Sequence, residues 1–371
     1  MTTFKETAAK LRAEKRNFKA FAGLDGFVDE IIHIVEKRTG QDADDYIRYE
    51  KIEDFGKKVK EAGGLSANFE MIPIQVKLGG NGPIFANALL NFDIGVTYCG
   101  SIGYPDIHPV FKPMANHPGC TAISKWEPAH TDALEFQDGK LIMGKMRVVY
   151  DITWEKVKDA VGGVEKLAEH MSNSDLLGML NWTMLPFMGD VWDGMLTEAL
   201  PLCTFKDGIK PLFFFDIADP AKRTGDDIRR ALEQMGAFNK YFRVVLGLNE
   251  KESYQIAGAL GIDDPERLGA QTLSEEMFKR LSIDCLVIHP TTEAYAITKE
   301  GFARVKGPYC ENPKLTTGAG DNFNAGFCLG LLCGFGAEES LRTGVSASGY
   351  YVRQAGSPAT NQLADFMDTI D

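Results

Sequence analysis

The chain has 371 residues, 44% of them apolar and 25% charged, the balance of an ordinary folded globular protein, and no apolar run approaches the roughly 20 residues of a membrane span. A formal net charge of -12 argues against nucleic acid or an anionic membrane as the main partner, because both are held by clustered lysine and arginine. Seven scattered cysteines without a CxxC or histidine pairing read as reduced thiols rather than a zinc site, and the polar segment Met1 to Lys15 is no secretory signal, so the expected location is cytoplasmic.

In chain order, Phe18 to Ala22 is the first short apolar run and leads into Gly23-Leu24-Asp25-Gly26-Phe27-Val28-Asp29. Val28 to Val35 and Ile72 to Leu78 then break the rhythm of the main runs and read as strands of a second, smaller sheet. Gly79-Gly80-Asn81-Gly82 leads to Ala86, Ala88 and Leu89, and Val96 to Cys99 is the next short apolar run. Thr131 to Phe136 and Lys140 to Met146 flank the turn Gln137-Asp138-Gly139, which is a hairpin signal. Together these segments predict a β lid formed from about residues 26–36, 70–80 and 120–148. A few-stranded sheet needs something over its apolar face, so the lid also predicts a homodimer clasped through it.

Four further apolar runs follow: Leu176 to Leu180, Leu212 to Asp216, Val244 to Leu248 and Leu286 to His289. Their alternation with helical stretches predicts one α/β domain over 1–371, with a mostly parallel central sheet and helices on both faces. In such sheets ligands bind beyond the carboxyl ends of the strands, which directs attention to Asp216 and Asn249. Asn249-Glu250-Lys251-Glu252 suits either a helix N-cap with an acidic first turn or a functional carboxylate. Asp219 and Arg223 follow Asp216 past the strand end, where their plain reading is solvated loop charges.

Lys314-Leu315-Thr316-Thr317-Gly318-Ala319-Gly320-Asp321-Asn322-Phe323-Asn324-Ala325-Gly326-Phe327 reads as a glycine-rich turn entering a buried helix. Small residues let the backbone approach a ligand, and the free amides of a helix start form an anion site. Asp321, in the first turn, is expected to be kept ionised by the helix field and able to accept a hydroxyl proton. A tight turn with an aspartate cap would use the same residues.

The string resembles the carboxy-terminal signature DTxGAGDxFxxG of the ribokinase-like (PfkB) carbohydrate kinases. Residues 79–82 with the strand to Gly103 are similar to that family's amino-terminal signature, and Leu248 to Glu252 to its NxxE motif. The resemblance implies a three-layer fold and phosphorylation of a sugar hydroxyl by ATP with Mg2+. It makes Asp321 the catalytic base and the Gly318, Ala319 and Gly320 turn the anion hole. Gly79, Gly80 and Asn81 would lie against the sugar, with Asp29, or failing it Asp25, on its hydroxyls. Asn249, Glu252, Thr317 and His289 would face the nucleotide, and Glu252 would organise the metal.

The sequence departs from the family at three places. Leu315 replaces an aspartate tied to monovalent-cation activation, so potassium dependence does not follow; Pro290-Thr291-Thr292-Glu293 replaces TLGxxG; and Ile84 replaces a common asparagine. A sugar-sensing pseudokinase and a nucleoside kinase of the same fold remain open readings. A Rossmann dehydrogenase or a P-loop NTPase is excluded by the lack of GxGxxG after an early strand and of GxxxxGK[ST].

Overall fold

Leu212-Phe213-Phe214-Phe215-Asp216 shows why the apolar runs become strands: Phe213 and Phe215 enter one core, Leu212 and Phe214 the other, and all are buried. A strand apolar on both faces is stable only between two layers. The computed structural model describes residues 2–15, 17–205 and 209–370. Its strands are β1 (Lys19–Leu24), β2 (Phe27–Arg38), β3 (Tyr46–Arg48), β4 (Met71–Gly79), β5 (Gly95–Gly100), β6 (Cys120–Ile123), β7 (Ala129–Phe136), β8 (Gly139–Lys145), β9 (Leu176–Leu180), β10 (Leu212–Asp216), β11 (Arg243–Leu248), β12 (Cys285–Ile288), β13 (Glu293–Thr298) and β14 (Gly301–Lys306).

Among the described residues, nine strands form the main sheet in the order β14-β13-β12-β11-β10-β9-β1-β5-β6. The pairs from β12 to β6 are parallel, and β13 and β14 add an antiparallel hairpin at one edge. All six predicted apolar runs lie in it. One face is covered by helices that include Gly225–Phe238 and Ala270–Arg280, the other by Asn81–Asn91, Ala319–Leu332 and Ala337–Gln354. No described helix is long and apolar enough to cross a membrane.

The second sheet joins β2 to β4, β7 and β8, with β3 on the far end of β2. Asp138 at the β7–β8 turn accepts the backbone N–H of Ile52 at 3.0 Å, pinning the hairpin to the helix Ile52–Glu61.

Two sequence expectations need correction. The lid range 120–148 began too early: Cys120–Ile123 pairs in parallel with β5 as the edge of the main sheet, and the lid portion starts at Ala129. The lid face is also not wholly uncovered. Ile32, Ile34, Leu134 and Phe136 form a small core with Tyr49 and Phe55, so the chain's own segment 49–61 covers the distal part.

Candidate active site

The carboxyl ends of five neighbouring strands converge on one region. Just past β1, β9 and β11 stand Asp25, Asn181 and Asn249; β10 ends on Asp216, and His289 follows β12. The helix Asn81–Asn91 brings Asn81 to the same place, and the helix Ala319–Leu332 brings Asp321 in its first turn.

Asp25 is fully buried; its carboxylate accepts the Gly82 amide at 2.9 Å and the Asn181 side-chain amide at 2.7 Å. Burial pushes its pKa up to about 6, against the pull of those donors. Asp216 accepts the Ala218 amide and the Asn324 side chain, both at 2.8 Å, and burial pushes it too up to about 6. Glu252 is pushed up to about 8, by burial first and by the neighbouring charge of Asp216 second. Asp321 is raised well above the usual carboxylate range by burial and by Asp216 and Asp25, while Asn81 acts on both Asp321 and Asp216 in favour of the charged form.

Asp321 Oδ1 is buried without a hydrogen-bond partner. Against the expected pull of the helix field toward the ionised form, burial and the neighbouring carboxylates act in favour of the protonated form of Asp321.

Gly318 has φ 98°, the left-handed region that a residue with a Cβ adopts only under strain, and a Cβ there would also lie 2.7 Å from the Tyr351 hydroxyl. That hydroxyl donates to the Thr317 carbonyl at 2.9 Å, holding the turn closed. The Ala319 amide donates to the Thr316 carbonyl at 3.0 Å. This takes Ala319 out of the expected donor set and leaves the Gly320 and Asp321 amides without an acceptor among the described residues.

The turn opens on a cleft of about 390 Å3, lined by Asn249, His289, Thr316, Ala319, Gly320 and Val345 among others. Thr316, rather than the expected Thr317, lines it. His289 stacks on Phe323 with ring centroids 4.7 Å apart, and burial lowers its pKa to about 4, so it faces the cleft as a neutral ring. Asn249 and Glu252 make a reciprocal capping box, with Glu252 N–H to Asn249 at 2.9 Å and Asn249 N–H to Glu252 at 2.8 Å. The motif caps its helix, and Asn249 also lines the cleft. Asp219 stands apart, ion-paired with Lys251 at 3.1 Å near the surface, whereas Asp216 is buried.

On the lid side, Asp29 lies within β2 and is buried. Gly79 is pressed against it so closely that a Cβ would come within 2.3 Å of the carboxylate. Tyr351 links the two halves: burial raises its pKa first, and the charges of Asp321 and Asp29 raise it further. The departure Ile84 packs against Gly318 instead of facing a ligand as a polar group.

Sequence reading missed Asn181, Asn324 and Tyr351. Asn181 carried a usable signal, a polar residue directly after the apolar run of β9; the other two lie inside helices and carried none.

A model of the prokaryotic ketohexokinase family matches residues 2–370. The chain belongs to that family. A relative named ketohexokinase, from Haloferax volcanii, is 31% identical over 348 residues, 93% of this chain and 89% of the relative. Solved structures share the fold of this family member at low identity. A Thermotoga maritima ribokinase superposes with TM-score 0.63 at 16% identity, covering 95% of this chain and 99% of that one. An E. coli protein described as a ribokinase II, solved with ATP and Mg2+, gives 0.62 at 12% identity over 96% and 100%. This ketohexokinase-family chain is accordingly a carbohydrate kinase of ribokinase-like fold.

Proposed function

We propose that the chain transfers the γ-phosphoryl group of ATP to a hydroxyl of a ketohexose, with Asp321 as the base. One observation carries this reading: Asp321 Oδ1, buried and unpartnered among the described residues, stands at a helix start next to Gly320, which lines the 390 Å3 cleft. The acceptor class rests on the name of the Haloferax volcanii relative. The nucleotide enters the cleft beside Asn249 and His289, and its transferred phosphoryl group meets the Gly320 and Asp321 amides. Asp25 and Asp29 accept hydrogen bonds from the sugar. Asp321 then takes the proton of the attacking hydroxyl while the backbone donors hold the charge on the phosphoryl oxygens.

The residues present fit a magnesium ion. No three described carboxylates or imidazoles are grouped to cage one, but Glu252 and Asp216 form a buried acidic pair, which suits an ion held by one or two carboxylates, water and substrate phosphates. When bound, Mg2+ supplies positive charge that favours ionised carboxylates and offsets that of the phosphates. Seven free cysteines favour a reducing, cytoplasmic location. We also propose a homodimer through the lid, supported by the exposed Val76 and Met143 on the edge strands β4 and β8.

The test is a screen of ketohexoses, aldoses and nucleosides for ADP formation by the purified protein. Magnesium-dependent turnover of a ketohexose is expected. Turnover of nucleosides alone would favour a nucleoside kinase, and sugar binding without ADP release a pseudokinase.

A further inference from the structure

Lys77 on β4 stands directly opposite Asp29 on β2, and Asp29 opposite Thr131 on β7. Paired residues of neighbouring strands share a face, so Lys77, Asp29 and Thr131 form one row across the lid. The row faces the site. The charges of both Asp29 and Asp321 act on Lys77, and both also act on Tyr351, whose hydroxyl closes the Gly318 turn.

The other lysines on the lid hairpin are satisfied by strand neighbours. Lys140 pairs with Glu135 at 2.8 Å and Lys145 with Asp132 at 2.7 Å. Lys77 differs: among the described residues its Nζ is buried without a hydrogen-bond partner and makes no ion pair with Asp29. A buried ammonium left without an acceptor is costly, and such groups are rare unless a ligand completes them. Burial accordingly lowers its pKa, and Asp29 only partly offsets this.

We propose that Lys77 is an acceptor-binding residue, whose ammonium donates to a sugar hydroxyl that neighbours the one accepted by Asp29. The pair offers one donor and one acceptor to adjacent hydroxyls, which is the pattern of a neutral polyol. An acidic or already phosphorylated sugar would bring its anion against Asp29 as well as Lys77, because the two stand directly opposite each other. This inference rests on the sugar-kinase reading above and adds to it a residue that selects uncharged acceptors.

The experiment compares wild type with Lys77→Met and Lys77→Arg, using D-fructose as the ketohexose probe. Losing a hydrogen bond to a charged donor should raise the KM for D-fructose about 10- to 100-fold in Lys77→Met, with Lys77→Arg between the two and the KM for ATP unchanged within about twofold. An active Lys77→Met enzyme with unaltered acceptor KM overturns the proposal. So does a fall in kcat at constant acceptor KM, which would put the ammonium on the transferred phosphoryl group instead. Melting without sugar gives a second readout: Lys77→Met removes an uncompensated buried charge and should melt higher than wild type, whereas a lysine that merely holds the lid together would make the variant melt lower. If wild type fails to consume D-fructose, the ketohexose reading falls, and the melting comparison alone then decides for or against Lys77.

Discussion

Asp25, Asp216, Glu252 and Asp321 lie within electrostatic reach of one another, and each holds its proton more tightly than an exposed carboxyl does. For a group whose folded pKa is raised, the stabilising contribution is complete below the unfolded pKa and disappears as pH rises through the folded value. The windows here end at about 6 for Asp25 and Asp216 and about 8 for Glu252. The melting temperature without magnesium should therefore fall between about pH 4 and pH 8. Calorimetry should show a shallower fall in Asp216→Asn and in the presence of Mg2+ with ATP, because a bound cation favours the ionised forms. An equally steep fall in all three conditions would place the titrating groups elsewhere.

The same cluster sets the expectation for Asp321→Asn. General-base assistance contributes about 10²- to 10⁴-fold, so kcat should drop by that factor while the acceptor KM moves little. Turnover within about threefold of wild type would transfer the role to another carboxylate, Asp216 first.

At the scale of elements, the decisive joint is where β4 runs into the helix Asn81–Asn91. Gly79 ends the strand with its α-carbon against Asp29, and a methyl group there would come within 2.4 Å of the carboxylate carbon and both its oxygens. That distance is far below contact, so alanine must push the Asp29 side chain or the strand away. Gly79→Ala should raise the acceptor KM by about 10-fold or more, the cost of losing one charge-assisted hydrogen bond, and leave the KM for ATP unchanged because the cleft is lined by other elements. Equal changes in both KM values would point to general unfolding of the lid.

For the whole molecule, the open question raised by the lid is its partner. The row Val76, Glu30, Asp132 and Met143 lies on the face opposite Lys77 and Asp29, with apolar residues exposed at its two ends and carboxylates between them. Since Tyr49 and Phe55 already cover the distal core, the surface left for a second copy is smaller than the sequence implied. Sedimentation at micromolar concentration should show a dimer that Val76→Lys converts to monomer; a monomeric wild type would remove the clasp.

Much of the architecture was legible because it is written in local patterns. Six apolar runs bounded by polar residues, the turn at Asp138 and Gly139, and the string from Gly318 to Asp321 are each short, and each carries its own physical reason for a strand, a hairpin or an anion-binding turn. The edge strand β14 and the placement of Cys120–Ile123 were not legible, since a strand of four to six residues at a sheet edge lacks the two-sided apolar pattern. Tertiary structure alone decided the electrostatics of the site. Asn181 meets Asp25 across 156 residues and Asn324 meets Asp216 across 108. It also decided that burial and neighbouring carboxylates raise the pKa of Asp321 despite the helix start, and that the Lys77 Nζ is buried without a partner among the described residues while Lys140 and Lys145 are paired. The physical reason is that a strand or a turn depends on its own few residues, whereas burial and charge depend on everything folded around a side chain.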